Sequence, residues 1–255
     1  MARGDGEMVK AKMSDPKIWK TAISSIVTLI EEAAFRFTPK SVSMRAMDPS
    51  HISMVDFELP AEAFDEYDVR DEVIVGVNLV DLDKALGRMK SSDQLILEVL
   101  EDRSRLLLTF KGASTRKLGL PIIDVEEEKI PEPKIQFTAE VRLLAGVLED
   151  GLKDAEMVSD SVQMIAEKGC FIVRAEGDKG SAEMRLEEGE PSLSKLEVQR
   201  PTSAKFGLEY LLKMLKGTSS SDEVTLRLGT DLPLEMEINV GRGRIRFFLA
   251  PRIEA

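Results

Sequence analysis

The sequence predicts an α+β fold: two similar domains of antiparallel sheets with paired helices, joined by an extended connector. Three observations predict it. The chain matches itself without a gap when shifted by 129 residues; each half reads as helix, strands, helix, strands; and one acidic, proline-containing stretch between the halves breaks both periodicities.

The self-match is specific. At that shift Leu79 falls on Leu208, Leu82 on Leu211, Lys84 on Lys213 and Leu86 on Leu215. Ser91-Ser92-Asp93 falls on Ser220-Ser221-Asp222, Leu97 on Leu226 and Arg45-Ala46 on Arg174-Ala175. The period is far too long for a solenoid, so each repeat is read as a domain.

The first helix is expected to start with Asp15 as N-cap and Pro16 at the first helical position. Its apolar stripe is Trp19, Ala22, Ile23, Ile26, Ile30 and Ala33, with Lys17, Lys20, Thr21, Ser24 and Thr28 opposite. A second helix is read over 79–90, burying Leu79, Leu82, Leu86 and Met89 and exposing Asp81, Lys84 and Arg88. A third is read over 141–153, burying Leu144, Val147 and Leu148, and a fourth over 208–216, burying Leu208, Leu211, Leu212 and Leu215. Alternating runs such as 94–99 and 235–240 read as strands, and Gly241-Arg242-Gly243 as a hairpin turn between two of them. Residues 124–134 carry Pro131, Pro133 and a block of acids, which makes them an extended linker.

Composition narrows the function classes. The chain has 255 residues, a formal net charge of −11 and a single cysteine, Cys170, so no internal disulfide forms and a reducing compartment is expected. No apolar run approaches the ~20 residues of a membrane helix, and the first seven residues lack the apolar core of a signal peptide. A soluble intracellular protein is expected. The net charge argues against nucleic acid, yet the 35 basic residues can be segregated onto one surface, and at a Debye length of ~8 Å a distant face is screened. One histidine and one cysteine are too few for a zinc site. The acids Glu62, Asp65, Glu66, Asp68, Asp71 and Glu72 lack metal-loop spacing and read as a solvated loop; His51 has no nucleophile nearby in sequence and reads as a partly buried polar residue. No phosphate loop is present. Neither an enzyme, a cofactor nor a metal is expected.

Several segments point further. Met47-Asp48-Pro49-Ser50-His51-Ile52-Ser53 runs into Met54-Val55-Asp56-Phe57-Glu58-Leu59; Phe64-Asp65-Glu66-Tyr67 is followed by Gly76-Val77-Asn78-Leu79. Phe206-Gly207-Leu208-Glu209-Tyr210-Leu211, Asp231-Leu232-Pro233-Leu234 and the ending Phe247-Phe248-Leu249-Ala250-Pro251-Arg252-Ile253-Glu254 complete the set. In order and spacing, from about Met8 to Glu254, the chain resembles the proliferating cell nuclear antigen (PCNA) family of DNA sliding clamps, its archaeal members more than its eukaryotic ones.

That resemblance implies a DNA clamp fold that assembles into a three-subunit ring around duplex DNA. It divides the chain into a disordered extension (1–7), a first clamp domain (8–123), the interdomain connector (124–134) and a second clamp domain (135–255). The implied function is a polymerase processivity factor for DNA replication and repair, cytoplasmic and nucleoid-associated if archaeal, nuclear if eukaryotic. The alternatives are an obligate subunit of a heterotrimeric or checkpoint-type ring, or an interaction scaffold that never touches DNA. Implied partners are double-stranded DNA read without sequence, DNA polymerase, a clamp loader, a flap nuclease and DNA ligase, with no membrane.

The resemblance also assigns residues. Facing DNA would be Lys17, Lys20, Lys84, Arg88, Arg142, Lys153, Lys213 and Lys216. Glu149 and Glu209 each precede a lysine by four residues, and such ion pairs would dilute the second half's positive potential. The partner pocket would involve Met47, His51, Ile130, Pro233, Phe248, Ala250, Pro251 and Ile253, taking an aliphatic and two aromatic side chains of a partner tail; Glu128 stands where the family often carries an apolar residue. Arg116, Leu118, Ala182 and Met184 would lie at the subunit interface, on edge strands that meet head to tail, where Arg116 and Lys117 face Glu183, Glu187 and Glu188.

Overall fold

The computed structural model describes residues 7–125 and 130–253. The first half of the chain forms β1 (Glu7–Met13), α1 (Lys17–Ile26), β2 (Glu32–Phe37), β3 (Ser41–Met47), β4 (Ser53–Pro60), a 3-10 turn (Ala61–Ala63), β5 (Glu66–Val69), β6 (Val73–Asn78), α2 (Leu79–Leu86), β7 (Gln94–Leu100), β8 (Arg105–Lys111) and β9 (Thr115–Pro121). The second forms β10 (Ala139–Leu144), α3 (Ala145–Glu156), β11 (Ser161–Glu167), β12 (Cys170–Gly177), β13 (Gly180–Glu187), β14 (Leu193–Val198), β15 (Thr202–Gly207), α4 (Leu208–Leu215), β16 (Glu223–Leu228), β17 (Leu234–Val240) and β18 (Gly243–Leu249). Shifting the first set by 129 residues lays its strands and α-helices on those of the second, one for one; the 3-10 turn has no counterpart.

The chain divides into two compact units. One comprises the chain up to Ala46, Asp56–Ile130 and Val240–Ile245; the other comprises Met47–Val55, Pro131–Asn239 and the chain from Arg246 onward. Strands β4 and β18 are thus each shared out between the units. The first unit holds a five-stranded sheet of order β5-β1-β7-β8-β9 and the run β4-β3-β2-β6. The second holds the run β14-β10-β16-β17-β18 and a four-stranded sheet of order β13-β12-β11-β15. Under the same shift the two strand orders are identical.

The backbone repeats in detail. Leu79 N donates to Glu31 O at 2.8 Å and Leu208 N to Asp160 O at 3.0 Å. Lys90 N donates to the Asp93 carboxylate at 2.9 Å, as Ser219 N does to that of Asp222 at 2.7 Å, so the recurring Ser-Ser-Asp run closes the same turn twice. Ile123 N donates to Gly76 O at 2.9 Å and Arg252 N to Lys205 O at 2.7 Å. In the first unit Trp19, Phe35 and Phe57 pack with ring centroids 5.5 to 6.2 Å apart in the core. In the second, Phe171, Phe206, Leu208 and Leu211 are fully buried.

Several element boundaries differ from the sequence reading. α1 ends at Ile26, Ile30 is buried in the turn beyond it, and Ala33 belongs to β2. The β-branched run Ile26-Val27-Thr28 and the Thr28 hydroxyl, which donates to Ser25 O at 2.8 Å, favour a turn over another helical one. Pro16 takes the N-cap position, while Asp15 accepts from Lys17 N at 3.2 Å. α2 stops at Leu86 with Gly87 as C-cap, leaving Arg88 in the turn and Met89 half-buried. Val141 and Arg142 stand in β10, not in a helix, because Ala139, Val141 and Leu143 alternate inward against β14 and β16. Leu144 becomes the N-cap of α3, with Val147 half-buried and Leu152 and Ala155 buried instead. In α4 Met214 is buried and Leu212 half-buried. Glu7, expected in the extension, is the first residue of β1; residues 1–6 lie outside the described residues.

Candidate nucleic-acid interface and partner site

Within the first unit α1 lies beside α2, tied by the Ser24 hydroxyl donating to Asp83 at 2.6 Å. Both helices bury their apolar stripes, which leaves Lys17, Lys20 and Lys84 exposed, with Arg88 exposed just past the end of α2. Among the described residues only Lys84 of these four makes an ion pair, a loose one with Asp81 at 3.7 Å. The second unit repeats the arrangement with different charges. Lys153 pairs with Glu149 at 2.7 Å and Lys213 with Glu209 at 2.5 Å, both at i,i+4. Glu149 holds the Lys153 ammonium above its usual range, and Lys213 holds the Glu209 carboxyl below its own. Lys216, at the C-cap of α4, is exposed. Arg142 is half-buried on β10, opposite Lys195 and Thr225, and so is separate from the helical cations.

In the second unit, the turn that carries His51 is built by Asp48. This buried carboxylate accepts from Ser50 N at 3.0 Å, Ile52 N at 2.8 Å, Ser53 N at 2.5 Å and the Tyr210 hydroxyl at 3.1 Å. Burial pushes such a carboxyl up, but these donors outweigh it and hold Asp48 below the usual carboxylate range. The turn places His51 in the left-handed region at φ 55° and leaves it exposed, contrary to the partly buried position expected for it. Ala250 N donates to Ile52 O at 2.9 Å, which joins the turn to the stretch after β18. Phe248 is buried beneath the Arg246 guanidinium, 5.7 Å from the ring centroid; Met47, Pro233 and Pro251 are half-buried, and Ile253 is 80% exposed. Ile130 belongs to the first unit and is half-buried there. Glu128 lies outside the described residues.

The edge residues divide. Leu118 is exposed on β9, which ends its sheet. Arg116 is turned inward: it pairs with the buried Asp93, donates to Arg88 O at 3.0 Å and lies over the Phe110 ring. On β13, likewise terminal, Ala182 and Met184 are half-buried, and Met184 packs on Gly151 of α3. Glu183 and Glu187 pair within their own unit, with Arg174 at 2.8 Å and Arg185 at 2.6 Å.

In the acidic stretch 62–72, Glu66 pairs with Lys12 at 3.1 Å and Glu72 with Arg36, while Asp65 accepts from the Ser14 hydroxyl at 2.5 Å. Glu66 and Asp68 are strand residues of β5, not loop. Among the described residues no cluster of acids, histidine or cysteine could hold a metal ion, and no helix is long and apolar enough to cross a membrane.

Comparison with known proteins agrees with the doubled architecture. The model of the N-terminal domain of proliferating cell nuclear antigen matches residues 8–129, and that of its C-terminal domain residues 129–253. The chain belongs to the PCNA family. Among its relatives, the DNA polymerase sliding clamp 1 of Thermococcus kodakarensis is 43% identical over 233 residues, 91% of this chain and 93% of that protein. The DNA polymerase sliding clamp of Thermofilum pendens is 37% identical over 249 residues, 97% of this chain and all of that one. Among solved structures, PCNA from Thermococcus kodakaraensis superimposes with a TM-score of 0.92 at 29% identity, over 96% of this chain and all of that chain. PCNA from Entamoeba histolytica gives 0.91 at 26% identity, over 97% and all.

Within this PCNA fold, sequence reasoning missed Asp48, Arg45 and Asp93 as organisers. Asp93 left a signal, because it recurs in the Ser-Ser-Asp repeat. Arg45 recurs as well, as Arg174, but the repeat does not say what it binds; Asp48 sits inside a segment quoted for resemblance alone, where no local pattern marks it as a hydrogen-bonding centre.

Proposed function

We propose that the protein is a DNA sliding clamp: a ring of three copies that encircles duplex DNA, holds a DNA polymerase to its template and docks further replication and repair enzymes, flap nuclease and DNA ligase among them. As a PCNA-family member it is a processivity factor and not an enzyme. The observation that carries the reading is the family match through both halves, each half presenting a helix pair with a solvated, lysine-bearing face. Cations spaced along such faces attract phosphates without reading bases, which suits a protein that slides.

The repeat supports the assembly. β18 runs beside β4: Gly243 approaches Glu58 O in the first unit, and in the second Ala250 N bonds Ile52 O just beyond the ends of the two strands. Under the 129-residue shift the counterparts of β18 and β4 are β9 and β13, and both end their sheets. Two copies that join β9 to β13 reproduce between chains a pairing already made within one. That contact is heterologous, and it closes into a ring where the rotation per subunit permits. Partner tails dock on the apolar surface formed by Met47, Pro233, Phe248, Ala250, Pro251 and Ile253, beside His51, in the second unit, and Ile130 offers a partner contact in the first.

The test is topological. Loaded by a clamp loader onto nicked circular DNA, the protein is expected to stay bound in salt that strips ordinary phosphate binders, and to leave once the DNA is linearised. Equal loss from both templates would rule out encirclement. Sedimentation should give three times the 28.3 kDa of one chain.

A further inference from the structure

Ile123 and Ile130 are each pinned to the first unit. Upstream, Ile123 N bonds Gly76 O on β6, and a Cβ at position 76 would overlap the Ile123 carbonyl oxygen, so glycine permits the approach. Downstream the pin is a side chain. Arg45, on β3, donates from Nη1 to Ile130 O at 3.1 Å and from Nη2 to Asp56 Oδ2 at 2.9 Å.

The way Arg45 spends its donors distinguishes this pin from an ordinary ion pair. A guanidinium that only neutralises a carboxylate can engage it side-on or bidentately, satisfying two donors at once. Arg45 instead gives Asp56 one nitrogen and leaves Nε buried with no partner among the described residues, a costly arrangement. What that orientation gains is the Nη1 bond to the Ile130 carbonyl. Asp56 is only 8% exposed, so its attraction for the guanidinium is little screened and fixes the direction of the fork. Arg174, which occupies the equivalent place in the repeat, lies alongside Glu183 of the neighbouring strand, with Nε and Nη2 both 2.8 Å from Glu183 Oε2. The same residue type in the same repeat position therefore serves an ordinary cross-strand pair in one half and a backbone pin in the other.

We propose that Arg45 is a positioning residue for partner docking, holding the backbone at Ile130 so that a partner tail does not bear the entropic cost of ordering it. This rests on the partner-tail reading above. Immobilising a docking segment in advance strengthens binding by lowering that cost, without any contact between Arg45 and the tail.

The test uses the full-length protein with 13C-carbonyl-labelled isoleucine and a synthetic peptide bearing one aliphatic and two aromatic anchor residues. Arg45→Lys keeps the charge beside Asp56 but lacks the fork, and Arg45→Gln serves if the lysine variant folds poorly. Expected are a shift of the Ile130 carbonyl resonance in the unliganded variant and a peptide Kd weakened about tenfold, roughly the equivalent of one charge-assisted hydrogen bond. Arg174→Lys should leave both readings at wild-type values. An unmoved Ile130 resonance would overturn the pin itself. A moved resonance with wild-type affinity, or equal weakening by Arg174→Lys, would overturn the positioning role. Should the wild-type protein ignore the peptide, the partner-tail reading falls and takes the positioning role with it, while the resonance still reports separately on the pin.

Discussion

α1 carries Lys17 and Lys20 and no acid, whereas α3 carries Lys153 among Glu149, Asp150, Asp154 and Glu156. α2 and α4 differ less: Lys84 is loosely held by Asp81, and Lys213 tightly by Glu209. Yet the two halves share their hydrogen-bonded frame down to individual turns, as the Leu79–Glu31 and Leu208–Asp160 bonds illustrate. The comparison separates two layers of information. The apolar stripes and turn residues specify the frame and are kept in both halves, while the solvated helix faces are free to diverge. On the proposed reading the first unit supplies the stronger attraction for DNA, and the second a weaker share because Lys153 and Lys213 are already paired at close range.

The frame itself offers the largest test of that separation. Asp93 and Asp222 make the same turn bond, but Asp93 is 3% exposed and also holds Arg116, whereas Asp222 is half-buried and, among the described residues, its carboxylate accepts from Ser219 N alone. Asp93→Asn should cost about 2 to 3 kcal/mol, the scale of hydrogen bonds to a charged group, since both the turn and the part-exposed Arg116 lose the carboxylate, and Asp222→Asn about 1 kcal/mol, the scale of one hydrogen bond. Urea unfolding midpoints measure both, and equal losses would mean that the shared turn dominates.

The repeat made much of this legible in advance. The 129-residue shift paired the two short helices and the Ser-Ser-Asp turns, while alternation marked strands at 94–99 and 235–240 and the glycines the hairpin at Gly241, where φ is 61°. It failed where one local pattern supports two structures. Val141, Leu144 and Leu148 fit a helical period, while Ala139, Val141 and Leu143 fit a strand; distant partners, β14 and β16, decided for the strand and took Arg142 off the helix face. Arg116 reads as a surface cation on an edge strand, and only the buried Asp93 explains its inward turn. The pin from Arg45 to Ile130 joins residues 85 positions apart, beyond the reach of any local pattern.

The turns between the third and fourth strands of each half also differ. Asp48 organises the first through three backbone N–H groups, while the second turns at Gly177 and Gly180, the latter at φ 136°. Asp48→Asn is therefore expected to cost about 2 kcal/mol at neutral pH. The sign of its pH dependence follows from the lowered pKa of Asp48 in the folded state. Its contribution is complete above the unfolded carboxyl value of about 4 and is lost as pH falls through the lower folded value. The variant should lose less stability on acidification through that range than the wild type does; identical acid limbs in thermal melts would remove Asp48 from this role.

A smaller effect should come from freeing the second unit's lysines. Glu149→Gln with Glu209→Gln removes both i,i+4 partners, and DNA binding at low salt should tighten about two- to threefold, with a steeper salt dependence. Unchanged binding would mean that these lysines do not reach phosphate.

The most direct measurement sets the two helix pairs against each other. Lys20→Glu with Lys84→Glu, and separately Lys153→Glu with Lys213→Glu, are compared for affinity on circular DNA and for polymerase stimulation across a salt series, with folding and oligomeric mass checked. The first pair should lose about tenfold or more and flatten the slope of log K against log salt, since exposed cations facing phosphate have been reversed. The second should lose about threefold or less, because its lysines are already paired. Equal losses from the two pairs, or a larger loss from the second, would contradict the assignment of the main DNA contact to the first unit.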